Sequence, residues 1–161
     1  MRATGPLTNF EKLALAPEFA PECASWLYIE WGYRNPAATL ADVTQRFLAR
    51  ANVDKVPIAF VAHQGGKPVG TASLVAKEDL SDTYGPWVAS VFVPEGYRGM
   101  GIARQLIKMA ESEAANLGFP KVWLSAAVPM MYEKLGYQLT DQVKHGEPVM
   151  VKRLSSPKPR D

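Results

Sequence analysis

The chain has 161 residues, of which 47% are hydrophobic and 21% charged, and its net charge is +2. This length and apolar fraction predict a single globular domain with a sizeable core. The near balance of charge argues against a broad nucleic-acid-binding surface, which has a clustered basic face. No apolar run reaches the ~18 residues of a membrane helix, and MRATGPLTNF lacks the apolar stretch of a signal peptide. We therefore expect a soluble cytoplasmic protein without a nucleic-acid or membrane partner.

Redox and metal chemistry have little support in the sequence. The one cysteine, Cys23, cannot form an internal disulfide, and its apolar helical setting favours an inert buried thiol. His63 and His145 lie far apart and have no metal-ligand spacing, so both are predicted to be structural. We expect no metal site.

Two helices are predicted ahead of the main sheet. LTNFEKLALA favours a first strand, and the segment after Pro17 has apolar residues at helical spacing. Thr39 suits the N-cap of the second helix, because its hydroxyl can accept a hydrogen bond from a first-turn amide. The apolar residues are Phe19, Cys23, Trp26 and Leu27 in the first helix, and Leu40, Val43, Phe47 and Ala51 in the second.

From residue 58 onward the apolar period becomes that of strands. IAFVAH and PVGTASLVA predict a hairpin, and the polar loop KEDLSDTYGP leads to another strand, WVASVFV. A helix follows from Gly101 and ends near Gly118. KVWLSA, VPMMYEKLG, YQLTDQV and PVMVKRL then predict a strand, a short helix and two closing strands. This order indicates one α/β or α+β domain around a mixed sheet at residues 1–154, with residues 155–161 as a loose polar tail.

The stretch EGYRGMGIAR, residues 95–104, joins a predicted strand to a predicted helix through two glycines. Free amides and the helix dipole make such a helix start suitable for a phosphate or pyrophosphate, and glycine allows close backbone approach. A Walker-type loop needs Lys-Ser/Thr where Ile102 and Ala103 stand. A dinucleotide fingerprint needs a small residue at Arg104, and no acidic residue suited to a ribose follows. A helix start whose glycines serve only steric needs is the remaining alternative.

Two segments, VFVPEGYRGMGIARQL and VWLSAAVPMMYEKLGYQL, together resemble the GNAT superfamily of N-acetyltransferases. The first is similar to its coenzyme A loop, Arg/Gln-x-x-Gly-x-Gly/Ala, and the second to its Tyr-x-x-x-Gly-aromatic segment in a short-segment variant. They cover residues 87–140, and the order of the preceding elements extends the resemblance over most of the chain. The matching residues are Arg98, Gly101 and Ala103 in the first segment, and Tyr132, Gly136 and Tyr137 in the second.

The resemblance implies a fold, a co-substrate and a reaction. The fold is a mixed, mostly antiparallel twisted sheet with helices on both faces. The reaction moves an acetyl group from acetyl-CoA to a primary amine, of a small molecule or a protein or peptide N-terminus, by direct attack in a ternary complex. Loop amides are expected to hold the pyrophosphate, and the strand before them to pair with the pantetheine arm. The implied cofactor-binding residues are Val91, Phe92, Val93, Arg98, Gly99, Met100, Gly101, Ile102, Ala103 and Arg104.

The resemblance also implies that Tyr132 is the acid for the departing thiolate, and an unperturbed tyrosine pKa near 10 is compatible with that role. The alternative is a tyrosine packed with Leu135 under the sheet. Ser125 stands where the family often has an asparagine that contacts the cofactor, and where some members have a glutamate that acts as the base. Serine is no base at neutral pH, so the base comes from elsewhere, acts through water or is unnecessary.

An α-amino group is roughly 10–15% neutral at pH 7 and a lysine below about 0.1%, which favours a low-pKa amine as acceptor.

Acceptor-side candidates come from the end of the first helix, the polar loop and the strand before Tyr132. Solvated loop acids and a core tryptophan are the alternative interpretation of these residues. A non-catalytic CoA- or acyl-CoA-binding sensor or scaffold is the alternative function, and a purely structural interaction domain is a third. Exposed strands at a sheet edge leave monomer and homodimer open. The candidates are Glu30, Trp31, Tyr33, Tyr84 and Ser125, with Asp79 and Asp82 beside Tyr84.

Overall fold

The computed structural model describes residues 7–79 and 81–155. Its strands are β1 (Asn9–Lys12), β2 (Ile58–Gln64), β3 (Lys67–Val75), β4 (Trp87–Phe92), β5 (Lys121–Ser125), β6 (Gln138–Lys144) and β7 (Glu147–Arg153). Its α-helices are α1 (Ala20–Trp31), α2 (Leu40–Leu48), α3 (Ile102–Asn116) and α4 (Pro129–Glu133). The predicted tail lies outside the described residues except for Ser155, and the single domain at residues 1–154 stays a prediction.

The described strands form one sheet in the order β1-β2-β3-β4-β5-β7-β6. Neighbouring strands are antiparallel except for β4 and β5, which are parallel. The parallel pair requires a crossover, and α3 provides it. The predicted mixed, mostly antiparallel sheet is confirmed.

Helices cover both faces of the sheet, as predicted. On one face α3 packs through Ile102, Leu106 and Ile107 against the alternate residues of β2 and β3. On the other face α1 and the buried Phe47 of α2 cover Ala59 and Val61 of β2. Since successive strand residues point to opposite faces, β2 contributes to both cores.

The predicted N-cap of α2 is confirmed. The Thr39 hydroxyl accepts a hydrogen bond from the Asp42 amide at 3.1 Å, and the Asp42 carboxylate accepts one from the Thr39 amide at 2.9 Å. This reciprocal pair is a capping box, which satisfies two amides that a helix start otherwise leaves free.

The first strand is shorter than the sequence predicts. It ends at Lys12, and two single 3₁₀ turns, Leu13–Leu15 and Pro17–Phe19, lead into α1. Leu13 is fully buried in the core beneath α1. The first of these turns therefore places Leu13 in this core and leads the chain away from the sheet edge toward α1.

Cys23 and His63 have structural surroundings. Cys23 is buried, and burial raises the pKa of its thiol to about 12, which disfavours the nucleophilic thiolate. His63 hydrogen-bonds Glu11 and stacks on Phe19 with ring centroids 4.7 Å apart. Within the described residues, no three His, Cys, Asp or Glu side chains cluster as metal ligands.

Gly70 allows α3 to approach the sheet closely. A Cβ at this position would lie 2.8 Å from Cγ2 of Ile102 and 3.1 Å from Cδ1 of Leu106. Gly70→Ala should therefore lower the free energy of unfolding by about 1–3 kcal/mol through overpacking, measured by urea denaturation. Gly96→Ala is the control, because its Cβ would meet no atom within 4 Å. Equal stability of the two variants would contradict the close approach.

Candidate active site

Strands β4 and β5 separate after a single pairing. Trp87 of β4 pairs with Trp123 of β5, and no other residue pair joins these strands within the described chain. On its other side β4 stays bound to β3 as far as Phe92, which lies opposite Thr71. The backbone of β4 beyond Trp87 therefore presents an open edge toward β5, where an extended ligand could add as a strand.

A bulge deforms β4 along this open edge. Ser73 pairs with Ala89 and Thr71 pairs with Phe92, so two β4 residues oppose the single residue between them on β3. Ser90, the first residue of the bulge, has a positive φ of 54°. Such a conformation is uncommon for serine and often marks a functional site, where a bulge re-aims the strand.

The turn after β4 leads into the start of α3. Gly99 and Gly101 have φ of 81° and 79°, and a Cβ on either would meet no atom within 4 Å. Gly101 is the N-cap and offers no capping side chain, and the first turn of α3 contains no acidic residue. The amide of Gln105 is the one that bonds the Gly101 carbonyl, so the amides before it have no intrahelical acceptor. An uncapped, uncrowded helix start of this kind fits an anionic group.

Arg98 attaches this turn to the end of β4. Its Nε donates a hydrogen bond to the carbonyl oxygen of Val93 at 2.8 Å. Its guanidinium carbon lies 5.8 Å from the centroid of the Phe92 ring. Arg98 is otherwise exposed, so positive charge remains next to the glycine turn.

A cleft of about 590 Å³ lies on the sheet face that carries α1 and α2. Its volume is within the usual range for small-molecule sites, about 300–1,000 Å³. The structure thus brings together side chains from α1, α2, β4, β5 and α4. The predicted site residues that line the cleft are Glu30, Trp31, Tyr33, Val91, Ser125 and Tyr132.

Tyr84 does not line the cleft. Its ring packs on Trp87 and Trp123, with centroid distances of 5.3 and 5.1 Å. Its hydroxyl donates a hydrogen bond to the Gln142 side chain at 2.7 Å. Sequence position in the polar loop could not distinguish this packing role from a role in the cleft.

Asp82, predicted near the acceptor, instead holds the loop between β3 and β4. It is 7% exposed and accepts hydrogen bonds from the amides of Glu78 and Asp79 at 2.8 and 3.1 Å. The ammonium of Lys144 donates to both Asp82 oxygens, at 2.7 and 2.8 Å, and lies 3.4 Å from Asp79. The two aspartates therefore anchor the loop to β6, and neither lines the cleft.

This anchored loop places Glu78, which sequence reasoning missed, in the cleft. The Ser125 hydroxyl donates a 2.7 Å hydrogen bond to Oε1 of Glu78, and both residues line the cleft. Lys144 lies 3.5 Å from the same oxygen. Oε2 has no hydrogen bond within the described residues. Nothing in the spacing of KEDLSDTYGP distinguished Glu78 from its acidic neighbours, because its position depends on contacts with β5 and β6.

Tyr132 reaches the cleft from α4. Its ring packs edge-on against Tyr137, with centroids 5.9 Å apart, and the Tyr137 amide donates to the Tyr132 carbonyl at 3.1 Å. Gly136 allows this tight return with a φ of 97°. Tyr132 therefore packs against the main core, as one interpretation of the sequence predicted, and it also lines the cleft, which is compatible with the other.

Burial, with a smaller contribution from Glu147, raises the pKa of Tyr132 to about 12. The hydroxyl forms no hydrogen bond within the described chain, and every fully buried side-chain oxygen or nitrogen there has a partner. The hydroxyl is therefore open to the cleft and protonated at neutral pH. It can donate a hydrogen bond to a ligand.

Comparison with known proteins agrees with this geometry. The profile of the acetyltransferase (GNAT) family matches residues 15–137. The chain belongs to this family, and the resemblance found in the sequence is confirmed. It is an acetyl-CoA-dependent acetyltransferase, and acetyl-CoA is its co-substrate.

Solved structures share the fold at low sequence identity. A GNAT acetyltransferase from Streptococcus pneumoniae has a TM-score of 0.71 at 16% identity, covering 92% of this chain and 100% of the other. An aminoglycoside 6'-N-acetyltransferase complexed with coenzyme A has a TM-score of 0.71 at 15% identity, covering 94% and 99%. The PaiA N-acetyltransferase from Thermoplasma acidophilum in complex with coenzyme A has a TM-score of 0.62 at 16% identity, covering 91% and 99%.

Two further findings complete the comparison. No curated protein matched the chain. Among the helices of the described residues, none is long and apolar enough to cross a membrane.

Proposed function

We propose that this acetyltransferase transfers the acetyl group to a primary amine by direct attack in a ternary complex. The observation that carries the proposal is the presence of a protonated tyrosine hydroxyl and a carboxylate in one cleft. Tyr132 supplies the hydroxyl and Glu78, held by Ser125, supplies the carboxylate. Both kinds of group accelerate amine attack on a thioester, one by taking a proton and one by stabilising the leaving sulfur.

Acetyl-CoA supplies the activated acetyl thioester, and the open edge of β4 and the glycine turn would hold it. The free amides at the start of α3 suit its pyrophosphate, and the exposed guanidinium groups nearby add positive charge. The residues proposed to bind it are Val91, Phe92, Val93, Arg98, Gly99, Met100, Gly101, Ile102, Ala103 and Arg104.

Glu78 is the proposed base. Ser125 and Lys144 both contact Oε1, which orients the carboxylate and leaves Oε2 free to accept the proton of the attacking amine. The proposed base thus comes from a different element than the family position suggests. Acceptors are then not limited to amines of low pKa, so small-molecule amines and protein N-termini both remain within the proposal.

Tyr132 acts as a hydrogen-bond donor to the departing sulfur. With the pKa of Tyr132 near 12, complete proton transfer to a thiolate whose thiol has a pKa of about 8.5 is uphill by roughly 5 kcal/mol. The hydroxyl therefore stabilises developing negative charge without losing its proton. This modifies the acid role that an unperturbed pKa near 10 would permit.

A panel of amines and N-terminal peptides, assayed by thiol release from acetyl-CoA and by mass spectrometry, tests the proposal. We expect the mass of at least one acceptor to increase by about 42 Da, the mass that one acetyl group adds. This transfer should be far faster than hydrolysis of acetyl-CoA without an acceptor. Acetyl-CoA binding with only slow hydrolysis, across all acceptors, would instead favour the sensor or scaffold.

The glycine turn gives a separate prediction. Gly101→Asp should strongly weaken CoA binding in calorimetry, because it places a negative charge beside the free amides that would face the pyrophosphate. Gly66→Asp is a matched control, since Gly66 has a φ of 80° and equally open surroundings in the β2–β3 turn. Both variants carry the same backbone strain and charge. Unchanged CoA affinity in Gly101→Asp would refute the assignment of the turn.

A further inference from the structure

Arg50 carries a positive charge on the wall of the cleft, and no carboxylate of the described residues compensates it. It follows α2, is half-buried and packs with its guanidinium carbon 5.9 Å from the centroid of the Phe47 ring. No acidic side chain forms an ion pair with it within residues 7–79 and 81–155. Burial, and then the charge of Arg46, lower the pKa of Arg50 to about 10. A cation in this environment is stabilised by an anion, which the described residues do not supply.

The hydrogen bonds of Arg50 leave one edge of the guanidinium free. Nη1 donates to the hydroxyls of Ser73 and Ser90, each at 3.0 Å, which uses both of its hydrogens. Nε and Nη2 have no partner in the described part of the chain. Since fully buried side-chain nitrogens there all have partners, this edge is open to the cleft. Two parallel N–H groups in a plane match the two oxygens of a carboxylate.

The other charges of the cleft favour the same ligand. Arg34 is paired with Glu147 at 3.6 Å, and Glu78 with Lys144. Among the lining residues that the structure describes, Arg46, Arg50, Lys77 and Glu30 form no ion pair, and three of these four are basic. The cleft therefore has an uncompensated positive region at Arg50 and a carboxylate at Glu78.

We propose that the Nε–Nη2 edge of Arg50 binds a carboxylate of the acceptor, so that the substrate is a small amine that also carries a carboxylate, as an amino acid does. The inference rests on the proposed function for the amine end of this substrate. Ser73 and Ser90 hold the guanidinium in place, which reduces the entropy lost on binding. The contact with Ser90 also joins this subsite to the bulge of β4.

Binding of two probes whose amine is already acetylated tests the subsite without requiring turnover. N-acetyl-L-alanine and N-acetyl-L-alaninamide differ only by a carboxylate against an amide. In the presence of CoA, ligand-observed NMR titration should give a dissociation constant about 10- to 100-fold lower for the acid than for the amide, the range for a charge-assisted hydrogen bond. Equal affinity of the two probes for the wild-type protein would overturn the inference.

Variants then assign the preference to Arg50. Arg50→Gln should remove the preference for the acid. Arg50→Lys should retain part of it, because lysine keeps the positive charge but lacks the two parallel N–H groups. Arg153→Gln, an exposed residue at the end of β7, should leave it unchanged. If Arg50→Gln unfolds, the Lys variant and the wild-type probe pair still decide the question. If Arg50→Lys keeps the full preference for the acid over the amide, or if a folded Arg50→Gln keeps the preference, the proposed contact with the Nε–Nη2 edge is contradicted.

The acylation assay separates this inference from the proposed function. L-alanine should be acetylated with a higher kcat/KM than L-alaninamide, although the amide has the more easily deprotonated amine. Transfer to amines with no preference for the acid would leave the function intact and reject the subsite. Absence of transfer together with preferential binding of N-acetyl-L-alanine would reject the function and support the subsite.

Discussion

Glu78→Gln should lower kcat/KM for amine acetylation by about 10²–10⁴-fold at pH 7, the usual contribution of a general base. Glutamine keeps the size of the side chain and can still accept the Ser125 hydrogen bond, but it cannot take a proton. Steady-state thiol release with the best acceptor of the panel measures the effect. CoA affinity should stay within about twofold, since Glu78 lies in the cleft and not at the glycine turn.

The pH dependence identifies the lost step. The α-amino group of a peptide is roughly 10–15% neutral at pH 7 and about half neutral at pH 8, so with a peptide acceptor the Gln variant should recover activity as pH rises. Glu18→Gln, at an exposed site before α1, is the matched control and should have wild-type kinetics. Wild-type turnover in Glu78→Gln would show that no base is needed there.

Ser125→Ala tests how Glu78 is positioned. Loss of the 2.7 Å hydrogen bond should reduce kcat by about tenfold, in line with a hydrogen bond to a charged group. Because Ser125 acts through Glu78, the double variant should be no slower than Glu78→Gln alone. Additive losses would mean that Ser125 contacts the substrate directly.

Tyr132→Phe should lower kcat by about one to three orders of magnitude with CoA binding retained, through loss of the donor to the sulfur. The protein should stay folded, because the hydroxyl has no partner within the described residues and phenylalanine keeps the packing on Tyr137. Tyr28→Phe, on the exposed side of α1, is the control. Thermal denaturation and single-turnover thiol release separate stability from chemistry. Wild-type kcat in the Phe variant would exclude this role.

The raised pKa of Tyr132 gives a signature for wild-type enzyme. In its proposed role the hydroxyl acts in its protonated form, so activity that depends on it should fall only as pH rises through about 12. At pH 10 roughly 99% of this group is still protonated, whereas an unperturbed tyrosine would be half ionised. With saturating amine, ionisation of Tyr132 should therefore cause no fall in kcat between pH 8 and pH 10. Suppose that wild-type kcat fell twofold over this range and that Tyr132→Phe showed no such fall. Tyr132 would then ionise near pH 10, which would contradict a pKa raised by burial.

Local sequence signals predicted most elements of the fold because they depend on neighbours in the chain. Thr39 and Asp42 form their capping box within four residues, and the periodic face of α3 needs only its own spacing to be recognised. The end of β1 was missed, since it depends on the burial of Leu13 beneath a helix that follows later. Likewise, the need for glycine at position 70 appears only when Ile102 packs against it.

Local motifs in the sequence were sufficient to predict the family by resemblance, the likeness of the glycine turn to a coenzyme A loop and the candidacy of Tyr132. The roles of Glu78 and Arg50 depended on tertiary structure. Glu78 meets Ser125 across 47 residues, and Arg50 meets Ser90 across 40. Folding also raised the pKa of Tyr132 by burying it. Charge interactions, hydrogen bonds and solvent access depend on distances in space. Those distances are set only when the sheet brings its strands together.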